Sequence, residues 1–168
     1  ANFKKLRILD LFENQITSQG MAHLSKLTKL EALNIGRNEV DDSGIQHLAG
    51  LVSLQKLGLQ EVKLTDAGMV HLSGLVNLRE LNLEQVGFTD AGMTHLSGLV
   101  NLIELQINHN NIKGEGLRNL IGMSKLTTLS TGANPIAGCE LKHLSGLSKL
   151  QDLSLYRNDI SGPDLVHL

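Results

Sequence analysis

Leucine recurs at Leu6, Leu30, Leu54, Leu78, Leu102, Leu126 and Leu150, a step of 24 residues that never slips. The stretch Leu64–Leu83, LTDAGMVHLSGLVNLRELNL, returns one step later as FTDAGMTHLSGLVNLIELQI, Phe88–Ile107. A fixed period of this length means that each unit cannot bury its apolar face alone and must stack on its neighbours as a solenoid. The 168 residues hold seven such periods, so the chain reads as one elongated domain over 1–168, with repeats starting near 6, 30, 54, 78, 102, 126 and 150.

Within a period, the alternation around Leu57 and Leu59, repeated at Leu81 and Leu83, marks a short strand with one buried face. Thr65 or Thr89 then stands where a helix N-cap belongs, and Asp66 or Asp90 suits the positive end of the helix dipole. Met69, Leu72 and Leu75 follow on one apolar helix face. Each repeat is therefore strand, turn, short α-helix, turn. Strands stack about 4.8 Å apart, whereas helix axes need roughly 8–10 Å. The strands must line the inner arc and the helices the outer one.

The pattern LxxLxLxxN, as in Leu102, Leu105, Ile107 and Asn110, resembles that of leucine-rich repeats, and the resemblance runs the length of the chain. It implies an α/β solenoid, a right-handed horseshoe of about seven repeats with a parallel β-sheet on its concave face and short α-helices on its convex face. The turn and HLSGL helix look most similar to the 24-residue repeats of bacterial proteins. They also resemble the F-box type, although the cysteine frequent in that type's turn is missing. The asparagine column reads Asn14, Asn38, Val62, Val86, Asn110, Asn134, Asn158. In this family such an asparagine is expected to bond loop backbone of its own and the neighbouring turn. Val62 and Val86, adjacent in the stack, are expected to pack on each other.

Two departures concern the ends and the sixth repeat. Phe3 falls in the core column of Leu27, Leu51 and Leu75, and neither end looks capped, so the natural protein is expected to continue. The glycine column Gly20, Gly44, Gly68, Gly92, Gly116 gives way to Glu140 and Asp164, which predicts a looser or differently curved C-terminal third.

Fifteen basic and seventeen acidic residues leave a charge of −2, no general attraction for nucleic acid, and no apolar run of membrane-spanning length. Cys139 is the single cysteine and none of the thirteen asparagines opens a glycosylation sequon. Both features favour a reducing compartment, the cytoplasm of its own or a host cell, or a bacterial source.

Histidines at 23, 47, 71, 95, 143 and 167 share one column, with Asn119 in the gap. Helix-side spacing sets them too far apart for one metal ion, and no carboxylate or histidine is read at a three- or four-residue step to complete a local pair. Packing is the expected role. Cys139 with His143 lacks a third orienting group, and Gly114-Glu115-Gly116 lacks the ending of a phosphate loop. No catalytic constellation, metal site or cofactor site is expected.

The inner face remains. Its columns read Ile8, Ala32, Lys56, Glu80, Glu104, Thr128, Asp152; then Asp10, Asn34, Gly58, Asn82, Gln106, Ser130, Ser154; then Phe12, Gly36, Gln60, Glu84, Asn108, Gly132, Tyr156, followed by Glu13, Arg37, Glu61, Gln85, His109, Ala133, Arg157. Glu61, Glu80, Glu84 and Glu104 gather in the middle, partly relieved by Lys56 and Arg79, and compose either an ordinary mixed surface or an acidic saddle for a basic partner segment. Phe12 and Tyr156, the latter beside Arg157, are the aromatics expected on this face. The partner-binding set is thus Phe12, Arg37, Lys56, Arg79, Glu80, Glu84, Glu104, Gln106, His109, Tyr156 and Arg157. The expected function is a protein-binding module that holds a protein or peptide, as in a bacterial host-directed effector. The rival is the substrate-recognition arm of a larger enzyme, such as a ubiquitin ligase, whose catalytic domain lies outside this chain. A plain spacer between domains is the third reading.

Overall fold

The structure, a computed structural model, describes residues 3–168. One three-residue strand per repeat is present: β1 (Ile8–Asp10), β2 (Ala32–Asn34), β3 (Lys56–Gly58), β4 (Glu80–Asn82), β5 (Glu104–Gln106), β6 (Thr128–Ser130) and β7 (Asp152–Ser154). They pair in parallel and in chain order as one open sheet. The register equals the sequence period, with Leu9, Leu33, Leu57, Leu81, Leu105, Leu129 and Leu153 side by side. Behind them the repeat leucines Leu30 to Leu126 are fully buried, and Phe88 is the largest side chain buried completely. Strands, core and outer turns therefore form the layered horseshoe expected of the repeat.

The convex side differs in detail. Regular α-helix is confined to single turns, α1 (Ser18–Met21), α2 (Asp42–Ile45) and α3 (Asp90–Met93), each running into a 3-10 turn. The other repeats use 3-10 helix throughout, as in Gly68–Leu72 and Gly138–Leu144. A helix this short gains too few i→i−4 bonds to overcome nucleation, and the tighter 3-10 form suits a brief connector. Phe3 makes the backbone turn of its column, its carbonyl accepting from the Leu6 amide, yet its side chain is 63% exposed. Among the described residues no helix is long and apolar enough to cross a membrane.

Two ladders tie one repeat to the next. In the first, the asparagines act as the motif implies: Asn134 Nδ2 donates to the carbonyls of Ile107, Thr131 and Gly132, and its Oδ1 accepts from the amides of Asn110 and Ile112. Asn38, Asn110 and Asn158 repeat the arrangement. Buried loop backbone is satisfied in this way. Val62 and Val86 interrupt the ladder and are themselves buried, lining one shallow cleft together.

The second ladder lies on the convex side. Asp66, read from sequence as a helix-dipole partner, instead accepts from the Thr89 amide and hydroxyl and the Gly92 amide of the next repeat. Asp90 likewise accepts from Lys113, Gly114 and Gly116 amides. A side chain at Gly68, Gly92 or Gly116 would strike Asp42, Asp66 or Asp90 respectively. Beyond repeat five the pair is exchanged. Gly114 now stands against the Glu140 side chain, and Gly138 against Asp164. The missing glycine at 140 and 164 thus reappears one repeat earlier, so the space is conserved and its loss leaves no gap to loosen the C-terminal third.

Candidate functional site

The exposed face of the sheet carries the three inward columns, and at their N-terminal and central part they line a groove. Ile8, Ala32, Lys56 and Glu80 form one side, Asp10, Asn34, Gly58 and Asn82 its floor, and Gln60 part of the other side. Ala32 supplies little side chain to the side and Gly58 none to the floor.

Charge is unevenly placed. The inward columns hold Asp10, Glu80, Glu84, Glu104 and Asp152 against Lys56, five carboxylates to one ammonium, a net −4 where the whole chain carries −2. Lys56 Nζ lies 2.7 Å from Glu80 on the next strand. Glu80 and Glu104 are direct register partners, and Glu104 is held 2.6 Å from Gln106 Nε2. Two like charges opposed on a sheet face cost stability unless something cationic sits between them.

The other predicted residues fall into two groups. Phe12 is half-buried beneath the Arg37 guanidinium, whose carbon is 5.4 Å from the ring centre. Arg37 also reaches Glu61 at 2.8 Å and Glu13 at 3.6 Å, and these carboxylates raise its already high pKa, Glu61 most. Tyr156 does not depend on Arg157. Its ring covers Gly132, and its hydroxyl is 3.0 Å from His109 Nε2, two repeats back. Arg37, His109 and Arg157 belong to a column with left-handed backbone, φ 53, 54 and 52°, which also holds Glu13, Glu61, Gln85 and Ala133. This turn brings the chain off the strand at the end of the inward columns, and Glu61, Gln85 and His109 of it line a separate shallow cleft with Val62 and Val86.

Arg79 does not share the face expected of it. It stands just before β4, outside the strand, and turns to a flank cleft with Glu31, Ser53, Gln55 and Asn77. His143 also departs from expectation, since it has a carboxylate three residues before it: Glu140 Oε2 lies 3.0 Å from Nε2. Glu140 meets the exposed Cys139 thiol too, at 3.6 Å. Among the described residues no group of three histidine, cysteine, aspartate or glutamate side chains is placed to hold a metal ion.

Gln60 was visible in the inward column, yet nothing in its own identity singled it out. Its amide lies over Gly36, as the Tyr156 ring lies over Gly132. The signal was the glycine one repeat earlier in the same column.

Family models described as leucine rich repeat match residues 4–64 and 99–120. Among solved structures the chain is similar to an internalin C2 from Listeria monocytogenes, with 28% identity and a TM-score of 0.72 over 92% of this chain and 73% of that one. No curated protein matches the sequence.

Proposed function

We propose that the chain, a leucine-rich-repeat protein, is a binding module whose concave sheet holds an extended basic segment of a protein partner. One observation carries the reading: the concentration of negative charge on the inward columns, with Glu80 and Glu104 opposed and a single lysine to offset them. A partner's cations between these carboxylates would remove the repulsion and supply charge-assisted bonds. Solenoids present such concave surfaces for extended contact. The likeness to a Listeria protein supports a bacterial source, and on this reading the partner is a host protein. The likeness and the charge pattern also support a binding role over a catalytic one.

Fluorescence anisotropy with labelled octalysine at low salt tests this reading. The double variant Glu80→Gln/Glu104→Gln should lose roughly tenfold in affinity, and the loss should shrink as salt is raised. The pair Glu39→Gln/Asp159→Asn, two exposed residues outside the inward columns, removes the same charge and should change affinity far less. Equal losses in both variants would reduce the attraction to net charge alone and end the proposal.

A further inference from the structure

Gln60 Oε1 is buried with no hydrogen-bond partner, the one such side-chain atom among the described residues. Exchanging the amide oxygen and nitrogen does not cure this. Nε2 lies 3.4 Å from Asn34 Oδ1, and that oxygen is fixed as an acceptor by the Gly36 amide at 3.2 Å. A swapped amide would set two oxygens together. The resting side chain thus trades one long, weak bond for a stranded carbonyl, which costs more than such a bond returns. Nothing covalent keeps it there, and the groove lies beside it.

Beneath the amide is Gly36, where a Cβ would collide with Gln60; at neighbouring Gly58 a Cβ would strike Asn34 Oδ1 first, at 2.6 Å, and meet Gln60 Oε1 at 3.0 Å. The same column contains a second glycine covered by a planar group, Gly132 under Tyr156. Flat groups therefore fit on glycine in this sheet. Around Gly58 stand three acceptors, Asn34 Oδ1, the Glu80 carboxylate and Gln60 Oε1 itself, with the Lys56 ammonium 2.7 Å from Glu80 as the cation already present.

We propose that Gln60 is a displaceable cover over a glycine floor, and that it selects arginine over lysine within the basic segment. This rests on the concave face being the binding face. On binding, the amide swings into the groove, a guanidinium lies flat on the Gly36 backbone beside Asn34, and Gln60 Oε1 accepts one of its N–H groups. Glu80, paired with Lys56 in the free protein, accepts another. A lysine ammonium is a compact, strongly hydrated charge that gains nothing from a flat floor. The stranded carbonyl of the free protein is the cost that binding removes.

The variant Gln60→Met keeps the length of the side chain and deletes both the stranded carbonyl and the acceptor. Two readouts should move in opposite senses. Its Tm should rise by roughly 2 °C, since an unsatisfied buried acceptor is gone. Anisotropy with labelled octa-arginine and octalysine should show the wild-type preference for arginine, roughly tenfold, disappear in the variant, the expected size for one lost bond to a charged donor. A Tm that falls together with affinity for both peptides would make Gln60 a packing residue and overturn the proposal, as would an arginine preference that survives the substitution. If octa-arginine and octalysine bind alike to wild type, yet both still respond to Glu80→Gln/Glu104→Gln, the selectivity fails while the binding face stands. If neither peptide binds wild type, both fail.

Discussion

In repeats two to four an aspartate at 42, 66 or 90 reaches forward to the next repeat, and a glycine at 68, 92 or 116 makes room for it. In repeats five and six that forward position is Gly114 or Gly138, and the acid stands on the following repeat as Glu140 or Asp164. Volume is therefore conserved across every interface while its ownership changes. The bonding is not conserved. Asp66 and Asp90 each accept amides of the next repeat, so they stitch two turns together. Glu140 turns instead to His143 of its own helix, and Asp164 closes a capping box with Ser161 of its own turn. The first half of the convex side is fastened between repeats and the second half within them.

The largest effect should come from forcing the second pattern on the first. Gly116→Glu alone places a side chain where Asp90 Oδ1 and Cα and Met93 Cγ would lie within 3.0 Å of its Cβ. It should cost about 3 kcal/mol by overpacking in urea unfolding. The double variant Asp90→Gly/Gly116→Glu rebuilds the Gly114–Glu140 arrangement and should be more stable than Gly116→Glu alone. A double-mutant cycle with no favourable coupling would show that the exchange is accidental. Gly162→Ala, whose added carbon meets nothing within 4 Å, is the neutral companion.

The concave side offers a matching contrast between Asn134, fully engaged in the polar ladder, and the Val62–Val86 break. Asn134→Ala strands several buried carbonyls and amides and should cost about 2 kcal/mol. Either Val62→Asn or Val86→Asn alone should cost about 1 kcal/mol, and the pair less than their sum, because each new asparagine lacks one of its two like neighbours until the other is present. Strict additivity would mean that the two sites do not act as a unit.

Much of this was legible from spacing. A period fixed at 24 residues dictates which leucines share a layer, so Leu57, Leu81 and Leu105 align by residue number alone, and the lateral pairing of Glu80 with Glu104 follows from it. Contacts that cross the period at an angle were not legible. Asp90 reaching Gly116, Tyr156 reaching His109 across two repeats and Gln60 lying over Gly36 depend on side-chain direction and length, which a column of letters does not encode. Arg79 was misplaced for a related reason: alternation continues only while the chain is strand, and here the strand is three residues long. The 3-10 turns are not encoded distinctly, because their apolar spacing of three also fits one face of an α-helix.

The smallest effect concerns acid, and it tests whether bonds between repeats leave a mark on titration. Asp41 accepts from the Ser18 hydroxyl of the preceding repeat and from Ser43, and these bonds, Ser18 first, hold its pKa down from 3.8 to about 2. Asp164 is lowered chiefly by Ser161 within its own turn. A depressed folded-state pKa contributes stability that is complete above the unfolded value of 3.8 and is lost as pH falls toward 2. In wild type, Tm should therefore fall through this window. Asp41→Asn should lower Tm at neutral pH and flatten its decline between pH 3.8 and 2, by an amount small enough to need both proteins scanned in parallel, because an exposed carboxylate is well screened. Ser18→Ala should reproduce part of the flattening from the other side of the interface, whereas Ser161→Ala should act through Asp164 without disturbing the repeat before it. If Ser18→Ala leaves the acid limb of Asp41 unchanged, the bond between repeats is not what depresses this carboxyl, and the first half of the convex side is fastened no differently from the second.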